Sequence, residues 1–189
     1  PREPVMLPGN NQVKIPEKKQ LNKAADLINN SKKPVSLAGH GILLSGASRE
    51  VIKLAEIASC PVTWTLLGSG AVPASHPLNM GMMGMHGEFA VNNAIQEADL
   101  LIACGMRFDD RVTGDVSTYS PNSKKIHVDI DPSEINKIIK VDVGINCDLK
   151  NTLNNLLPLL NRKQNHIWFE KIKKWQLESS ERDIINKNT

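Results

Sequence analysis

Short, nearly continuous apolar segments alternate along the chain with longer segments whose apolar residues recur every three or four positions. Uninterrupted apolar segments of this length are typical of strands that are buried on both faces of a sheet. The pattern predicts five strands, in KPVSLAG (33–39), CPVTWTLLG (60–68), DLLIACG (99–105), KKIHVDID (124–131) and the shorter KVDVGI (140–145).

The longer segments predict five helices, over residues 16–31, 45–59, 88–97, 148–160 and 164–182. Pro16 stands where proline is tolerated, in the first helical turn. Ser45 or Ser48 is expected to cap the second helix, and Asp148 the fourth. Strands that alternate with helices at this spacing predict an α/β fold, a three-layer, doubly wound parallel sheet.

The composition of the 189 residues, 40% hydrophobic and 23% charged, is that of a globular protein. A formal net charge of +3 is too small to indicate binding to nucleic acid, and no apolar run is long enough to span a membrane. Cys60, Cys104 and Cys147 form no CxxC motif, and two of them fall in or beside apolar strands, where a thiol serves as a small hydrophobe. This usage favours a reducing, cytoplasmic setting.

Ligands of doubly wound sheets bind beyond the carboxyl ends of the strands, so the loops that follow the strands carry the candidate chemistry. After the first strand, AGHGILLSG offers Gly39 and Gly41, which permit close backbone approach to a ligand. After the second, TLLGSGAV offers the Thr65 hydroxyl as a donor. The glycines alone are weak evidence, because they are equally consistent with simple chain turns.

The third strand is followed by GMRFDDRVTG, which concentrates charge in a few positions. Arg107 and Arg111 are four residues apart, so on a helical turn they would share a face and could bind an anion or stack on a flat ring. Asp109 and Asp110 could order them by ion pairing. A solvated salt-bridge cluster is the alternative, and the position at the ligand-binding edge of the sheet favours a site.

The fourth strand ends in VDID, where Asp129 or Asp131 could accept a hydrogen bond from the ribose of a nucleotide. Asp131 precedes Pro132 and could instead cap the next turn. In NMGMMGMHG, methionines interrupted by glycines suit a pliable apolar wall against a flat ligand, whereas a lone histidine such as His86 is more often structural. These features together describe a nucleotide-type cofactor site without a nucleophile–base pair.

Two stretches, TLLGSGAVPASHPLNMGMMGMHGEFAVNNAIQEADLLIACGMRFDDRVTG and KKIHVDIDPSEINK, closely resemble the acetohydroxyacid (acetolactate) synthase family. The resemblance covers about residues 18–160 and is to the central domain of the large catalytic subunit. That family condenses two 2-oxo acids, pyruvate with pyruvate or 2-oxobutanoate, with loss of carbon dioxide in branched-chain amino-acid synthesis. Its cofactors are thiamine diphosphate and Mg²⁺, and its biosynthetic members also bind FAD across the central domain.

The resemblance implies roles for individual residues. Met85, Asp110 and Arg111 would line the substrate channel, where Arg111 would bind the carboxylate of the second 2-oxo acid. The glycine loop after the first strand would lie along FAD, the charged loop would meet the flavin half, and the fourth strand would end near the adenosine half. The residues expected to bind FAD are Gly39, His40, Gly41, Thr65, Leu66, Gly84, Met85, His86, Gly105, Arg107, Asp109, Val112, Asp129, Ile130 and Asp148.

The chain departs from the family pattern at two positions. Cys147 replaces the usual glycine before Asp148, and His40 stands where a further glycine is common. The thiamine-activating glutamate and the diphosphate–magnesium motif of the family, which belong to its N-terminal and C-terminal domains, are not in this sequence. The resemblance therefore implies no catalytic residue or metal site here, and a fragment that does not turn over alone.

The expected division is a linker from an N-terminal domain over residues 1–15, the central FAD-binding domain over 16–161, and a helix and linker toward a C-terminal domain over 162–189. Expected partners are the 2-oxo acids, the other domains of the polypeptide, further copies of the chain and a small regulatory subunit. Two alternatives stay open: the central domain of another thiamine diphosphate carboligase or oxidase, and a stand-alone nucleotide-binding regulatory module.

Overall fold

The computed structural model describes residues 14–185, with side chains as far as Ser179. Most of the predicted linker, residues 1–13, lies outside the described residues. The helices are α1 (Lys18–Asn30), α2 (His40–Leu44), α3 (Ser48–Ala58), α4 (Phe89–Glu97), α5 (Asp110–Thr113), α6 (Leu149–Leu156) and α7 (His166–Ile185), with 3-10 turns at Leu66–Gly68 and Leu157–Leu159. The strands are β1 (Pro34–Ala38), β2 (Val62–Trp64), β3 (Asn79–Met82), β4 (Leu100–Cys104), β5 (Lys124–Asp129) and β6 (Val143–Asn146).

These strands form one parallel sheet in the order β3-β2-β1-β4-β5-β6. The chain builds β1, β2 and β3 in one direction and then returns to place β4 beside β1, with Pro34 opposite Leu100 and Ala38 opposite Cys104. Strand order therefore reverses between β1 and β4. The segment after β1 packs into the core on one face of the sheet through Ile42, and the segment after β4 packs into the core on the other face through Met106 and Phe108. A crevice forms at such a reversal, which is where ligands of this architecture bind.

Alternate residues of each central strand pack into two cores, one on each face of the sheet. In β4, Leu100, Ile102 and Cys104 join a core with α1, α3 and α6, while Leu101 and Ala103 join a core with α4 and α7. The predicted α/β, three-layer parallel sheet is confirmed. Cys60 and Cys104 are buried free thiols, as predicted, and Cys147 is also buried.

Helix α7 covers part of the second face. Its Trp168 is 3% exposed, and the indole N–H donates to the carbonyl oxygen of Pro34 at 3.2 Å. Ile172 is also buried in this core, and Trp168 meets Trp175 edge-to-face at a ring-centroid separation of 6.0 Å. The first half of α7 is thus packed on the sheet layer. None of the described helices is long and apolar enough to cross a membrane.

Three of the described helices and strands were not predicted: β3, α2 and the four-residue α5, which lies in the charged loop after β4. Strand β3 lies inside the predicted 69–87 loop, where glycines mask its pattern; β3 is an edge strand, and edges tolerate such residues. Helix α2 lies inside the predicted loop after β1 and is five residues long without a side-chain cap, so it lacks both periodicity and a start signal.

Several predicted boundaries are wrong. Ala47, not Ser45 or Ser48, occupies the N-cap of α3, because α2 extends to Leu44 and leaves Ser45 as its C-cap. Pro16 precedes α1, whose N-cap is Glu17. Strand β6 begins at Val143 rather than Lys140. The predicted helix after Asp148 ends early in a 3-10 turn that contains Pro158, which cannot donate to a continuing helix.

Candidate functional site

The loops after β1 and β4 are joined directly at the strand-order reversal. The Gly39 N–H donates to Cys104 O, and the Gly41 N–H donates to Gly105 O, both at 2.9 Å. A Cβ placed on Gly41 would lie 2.7 Å from Gly105 Cα. The close backbone approach expected of Gly39 and Gly41 is therefore made to the β4 loop, and this contact forms the floor of the crevice.

A cavity of about 690 Å³ opens at this edge of the sheet. The residues that line it lie at the carboxyl ends of β1 to β5 or in the loops that follow them. Its volume is in the range of sites for small molecules and cofactors. The lining residues are His40, Thr65, Leu66, Leu67, Met82, Met83, Met85, His86, Gly105, Met106, Arg107, Asp109, Arg111, Val112 and Asp129.

The structure brings most of the predicted cofactor residues to this cavity but not Gly39, Gly41, Gly84, Ile130 or Asp148. Ile130 is 63% exposed. The Asp148 carboxylate caps α6, where it accepts from the Asn151 N–H at 2.9 Å, as the predicted cap requires. The family-implied role of Asp148 toward FAD therefore stays a prediction.

Four lining residues were missed: Leu67, Met82, Met83 and Met106. The methionine-rich motif predicted an apolar wall, and Met82 and Met83 provide it together with Met85. The sequence does not show which of these methionines face the cavity, because their positions are set by the pairing of β3 with β2, and β3 was not predicted. Met106 lies between Gly105 and Arg107, which were both predicted to bind FAD. Its position between them is the feature of the sequence that could have identified it.

The first two loops are tied together beside the cavity. His40 Nδ1 is 3.0 Å from the carbonyl oxygen of Leu67, linking α2 to the 66–68 turn. The Thr65 hydroxyl accepts from the Gly68 N–H at 3.2 Å. Because that bond uses the oxygen as acceptor, the Thr65 O–H proton remains a donor for a ligand in the cavity.

The charged loop contributes an arginine and a carboxylate that are paired loosely. Arg107 Nη2 lies 3.8 Å from Asp109 Oδ2, and the Arg107 side chain is 67% exposed. The other carboxylate oxygen, Asp109 Oδ1, is buried and has no hydrogen-bond partner among the described residues. A buried carboxylate oxygen that lacks a hydrogen-bond donor is costly.

Arg111 stands apart from Arg107 in the structure. The expectation that they share a helical face is wrong, because α5 begins at Asp110 and Arg107 precedes it. Arg111 Nη1 instead lies 3.5 Å from the sulfur of Met85. Asp110 lies outside the large cavity and lines a neighbouring one of about 330 Å³, which shares Met85, Arg111 and Val112 as a common wall.

The two strand-end acids differ in their surroundings. Asp129 lines the cavity, with Oδ1 accepting from the Asp131 N–H at 2.9 Å and Oδ2 lying 3.7 Å from His127 Nε2. Asp131 accepts from the N–H and hydroxyl of Ser133, and these bonds lower the pKa of the Asp131 carboxyl. The predicted turn cap at Asp131 is confirmed, and Asp129 is the one of the two acids that lines the cavity.

Buried groups behind the cavity support its floor. His127 is fully buried, and its Nε2 lies 2.8 Å from the carbonyl oxygen of Met106. This contact links β5 to the loop that follows β4. The Phe108 ring packs edge-to-face on His127, with centroids 5.1 Å apart. Burial raises the pKa of the Cys104 thiol to about 12, so this cysteine is not a thiolate nucleophile at neutral pH.

The arrangement suits a large, partly flat organic ligand with hydroxyl donors and an anionic part. Methionines and leucines offer apolar surface, Arg107 and Arg111 offer positive charge, and Asp109 and Asp129 accept hydrogen bonds. The described residues contain no group of three or more His, Cys, Asp or Glu side chains placed to hold a metal ion.

Residues 21–156 match the family model of the thiamine pyrophosphate enzyme central domain. The chain belongs to this family. Its fold agrees with that assignment, since the six described strands and their flanking helices make a three-layer parallel sheet.

Curated relatives of this central domain are named as acetolactate synthases. The chain is 48% identical over 171 residues to the probable acetolactate synthase large subunit of Methanocaldococcus jannaschii, covering 89% of the chain and 29% of the relative. It is 46% identical over 169 residues to the acetolactate synthase large subunit of Corynebacterium glutamicum, covering 89% and 27%. It is 44% identical over 161 residues to an acetolactate synthase of Mycobacterium bovis, covering 85% and 26%. The chain thus spans less than a third of the length of these relatives.

Proposed function

We propose that this chain is the FAD-binding central domain of an acetolactate synthase, which decarboxylates pyruvate and joins it to a second pyruvate or to 2-oxobutanoate. The observation that carries the proposal is the cavity at the strand-order reversal, where an apolar methionine wall faces two arginines and two acids. The relatives named acetolactate synthase, at 44–48% identity, support the same assignment.

The residues of the cavity fit FAD chemically. The Asp109 carboxylate is an acceptor suited to a hydroxyl of the flavin's ribityl chain, and Asp129, at the end of β5, is suited to a ribose hydroxyl. Met82, Met83 and Met85 suit the face of a flat ring system. Arg107, beside Asp109, provides a cation for the diphosphate or a planar group for stacking.

Arg111 has a separate role in the proposal. Its guanidinium lies on the Met85 side of the cavity and forms the wall shared with the smaller cavity that Asp110 lines. A planar guanidinium binds a carboxylate through two parallel hydrogen bonds. We therefore assign Arg111 to the carboxylate of the second 2-oxo acid, and Met85 and Asp110 to the channel beside it.

The remaining chemistry is assigned to other parts of the full-length protein. Thiamine diphosphate supplies the carbanion and electron-sink chemistry of carboligation when it is bound with Mg²⁺. The central domain would bind FAD, orient the acceptor acid and exclude water. The net reaction requires no electron transfer, so a structural role for FAD is the simpler hypothesis. Assembly with further copies and a regulatory subunit, a cytoplasmic location and a role in branched-chain amino-acid synthesis complete the proposal.

Titration of the full-length protein with FAD tests the cofactor assignment. We expect quenching of flavin fluorescence and an increase in the midpoint of thermal unfolding, because a ligand that binds only the native state stabilises it. If neither changes at FAD concentrations far above those that saturate flavoproteins, the assignment of FAD to this cavity is rejected.

Substitution of the two arginines tests their separate roles. Arg107→Ala is expected to raise the FAD dissociation constant by about tenfold or more, the effect of losing a charge-assisted hydrogen bond. Arg111→Ala is expected to raise the KM for the second 2-oxo acid by a similar factor while FAD affinity changes little. Equal effects of both variants on both quantities would contradict the division of roles.

A further inference from the structure

One side chain outside the large cavity holds the loop that carries Met85 and His86. Asn92, on the first turns of α4, accepts from the Gly84 N–H through Oδ1 at 3.0 Å and donates from Nδ2 to Gly84 O at 2.9 Å. Both backbone polar groups of one residue are thus bound by a single amide. A planar amide that meets a donor and an acceptor together fixes orientation as well as distance.

The backbone at Gly84 has little freedom to move. Its φ is +93°, in the region that favours glycine, and a Cβ there would lie 2.4 Å from Arg111 O. The next residue, Met85, donates its N–H to that same carbonyl oxygen at 2.9 Å. The position of Gly84 therefore sets the contact between the 84–86 loop and α5, which carries Arg111.

Asn92 acts on the large cavity only through this loop. It is absent from the lining of that cavity and lines the neighbouring one of about 330 Å³, on the opposite side of the shared wall. Met85 and Arg111 stand on the wall itself, with Arg111 Nη1 3.5 Å from the Met85 sulfur. Displacement of Gly84 would move Met85 and the α5 carbonyl together.

We propose that Asn92 is a positioning residue, whose amide clamps Gly84 and thereby holds Met85 against Arg111 in the geometry that receives the flavin and the second 2-oxo acid. The functional half of this inference rests on the proposed function. The structural half, that Asn92 positions the loop, depends only on the contacts among Asn92, Gly84, Met85 and Arg111.

Four variants of the full-length protein separate the clamp from general helix stability. Asn92→Ala removes the amide, and Asn92→Leu removes both hydrogen bonds while keeping nearly the same shape. Asn93→Ala is the matched control, because Asn93 is the next residue of α4 and its side chain makes no hydrogen bond to the 84–86 loop among the described residues. Asn92→Asp keeps the acceptor for the Gly84 N–H and replaces the amide donor by a carboxylate oxygen that repels Gly84 O, so it isolates the bond to that carbonyl.

Hydrogen exchange resolved at single amides tests the structural half. The informative amide is that of Met85, which donates to Arg111 O and not to Asn92. We expect its exchange rate to rise by about tenfold or more in Asn92→Ala and Asn92→Leu, as loss of a net hydrogen bond or two implies, and to stay unchanged in Asn93→Ala. Faster exchange at Gly84 alone, with Met85 still protected, would overturn the inference.

Ligand measurements on the same variants test the functional half. We expect a higher FAD dissociation constant and a higher KM for the second 2-oxo acid in Asn92→Leu, with kcat close to that of Asn93→Ala. Unchanged affinity and KM, in a wild-type background that does bind FAD, would overturn a role in the site. A wild-type protein that binds no FAD would instead reject the proposed function, and Met85 exchange would still decide whether Asn92 positions the loop.

Discussion

At the scale of single residues, the crevice depends on how closely two backbone loops approach. Gly105 has a φ of +57°, and a Cβ on it would lie 2.6 Å from Gly41 Cα. Gly46 has nearly the same φ, +62°, but a Cβ there would meet no atom within 4 Å. The two glycines therefore share a backbone requirement and differ in the space available to a side chain.

Gly105→Ala is expected to destabilise the fold more than Gly46→Ala. Both variants incur the left-handed backbone cost of about 1 kcal/mol, and Gly105→Ala adds an overpacking cost of about 1–3 kcal/mol. Urea unfolding followed by circular dichroism gives both free energies of unfolding. A loss at Gly105 no larger than that at Gly46 would mean that the loops can separate without cost.

At the scale of elements, one carboxylate joins the two outer strands β5 and β6. Asp142 Oδ2 accepts from the Lys125 N–H at 2.9 Å, and Oδ1 pairs with Lys124 Nζ at 3.0 Å. The Asp142 N–H donates in turn to Lys125 O at 2.9 Å. Partial burial opposes ionisation of this acid, but the hydrogen bonds from Lys125 and Lys124 outweigh it, so the pKa of Asp142 falls below its ordinary value of 3.8.

This shift predicts the direction of a pH effect. An acid whose folded-state pKa is depressed adds stability above its unfolded-state pKa, and that stability is lost as the pH falls through the folded value. Wild type should therefore exceed Asp142→Asn by about 1 kcal/mol at pH 7, the net worth of a charge-assisted bond. The difference should shrink steadily below pH of about 4.

Denaturant unfolding at pH 7 and at several acidic pH values measures that difference. Glu170→Gln is the control, since Glu170 belongs to an exposed pair with Lys173 on α7, and such pairs contribute little. A difference between wild type and Asp142→Asn that stays constant with pH would show that the carboxylate charge does not connect β5 to β6.

At the scale of the whole molecule, α7 closes the second core although the family match ends at residue 156. Trp168 is 3% exposed and is anchored to β1 through Pro34 O, whereas its neighbour Ile167 is 89% exposed. The pair Lys171–Glu97 also links α7 to α4, but both side chains are well exposed, so packing of Trp168 is the larger contribution.

Trp168→Ala is expected to cost about 3–5 kcal/mol of unfolding free energy. Ile167→Ala, one residue away and facing solvent, should lie within about 0.5 kcal/mol of wild type. Guanidinium unfolding monitored in the far ultraviolet compares them without relying on tryptophan emission. Equal stabilities would show that α7 is not part of the cooperative unit.

Most helices and strands, and the order in which they occur, can be predicted from the amino-acid pattern alone. Continuous apolar runs identified β1, β2, β4 and β5, helical spacing identified α1, α3, α4 and α6, and the alternation of the two implied a parallel sheet. Arg107, Arg111 and Asp129 could be selected as site candidates because each follows a strand, and strand ends of one parallel sheet share an edge. The elements could be predicted because periodicity and chain order are local properties.

Which of these loops meet, and which side chains face the cavity, follows from how the elements pack in three dimensions. Strand β3 and helix α2 are too short to show a period, and they exist because β2 and the β4 loop pair with them. The start of α5 at Asp110 separates Arg107 from Arg111, and the Asn92–Gly84 clamp joins residues from an independent helix and loop. Such contacts depend on strand register and on packing between elements, which periodicity along the chain does not encode.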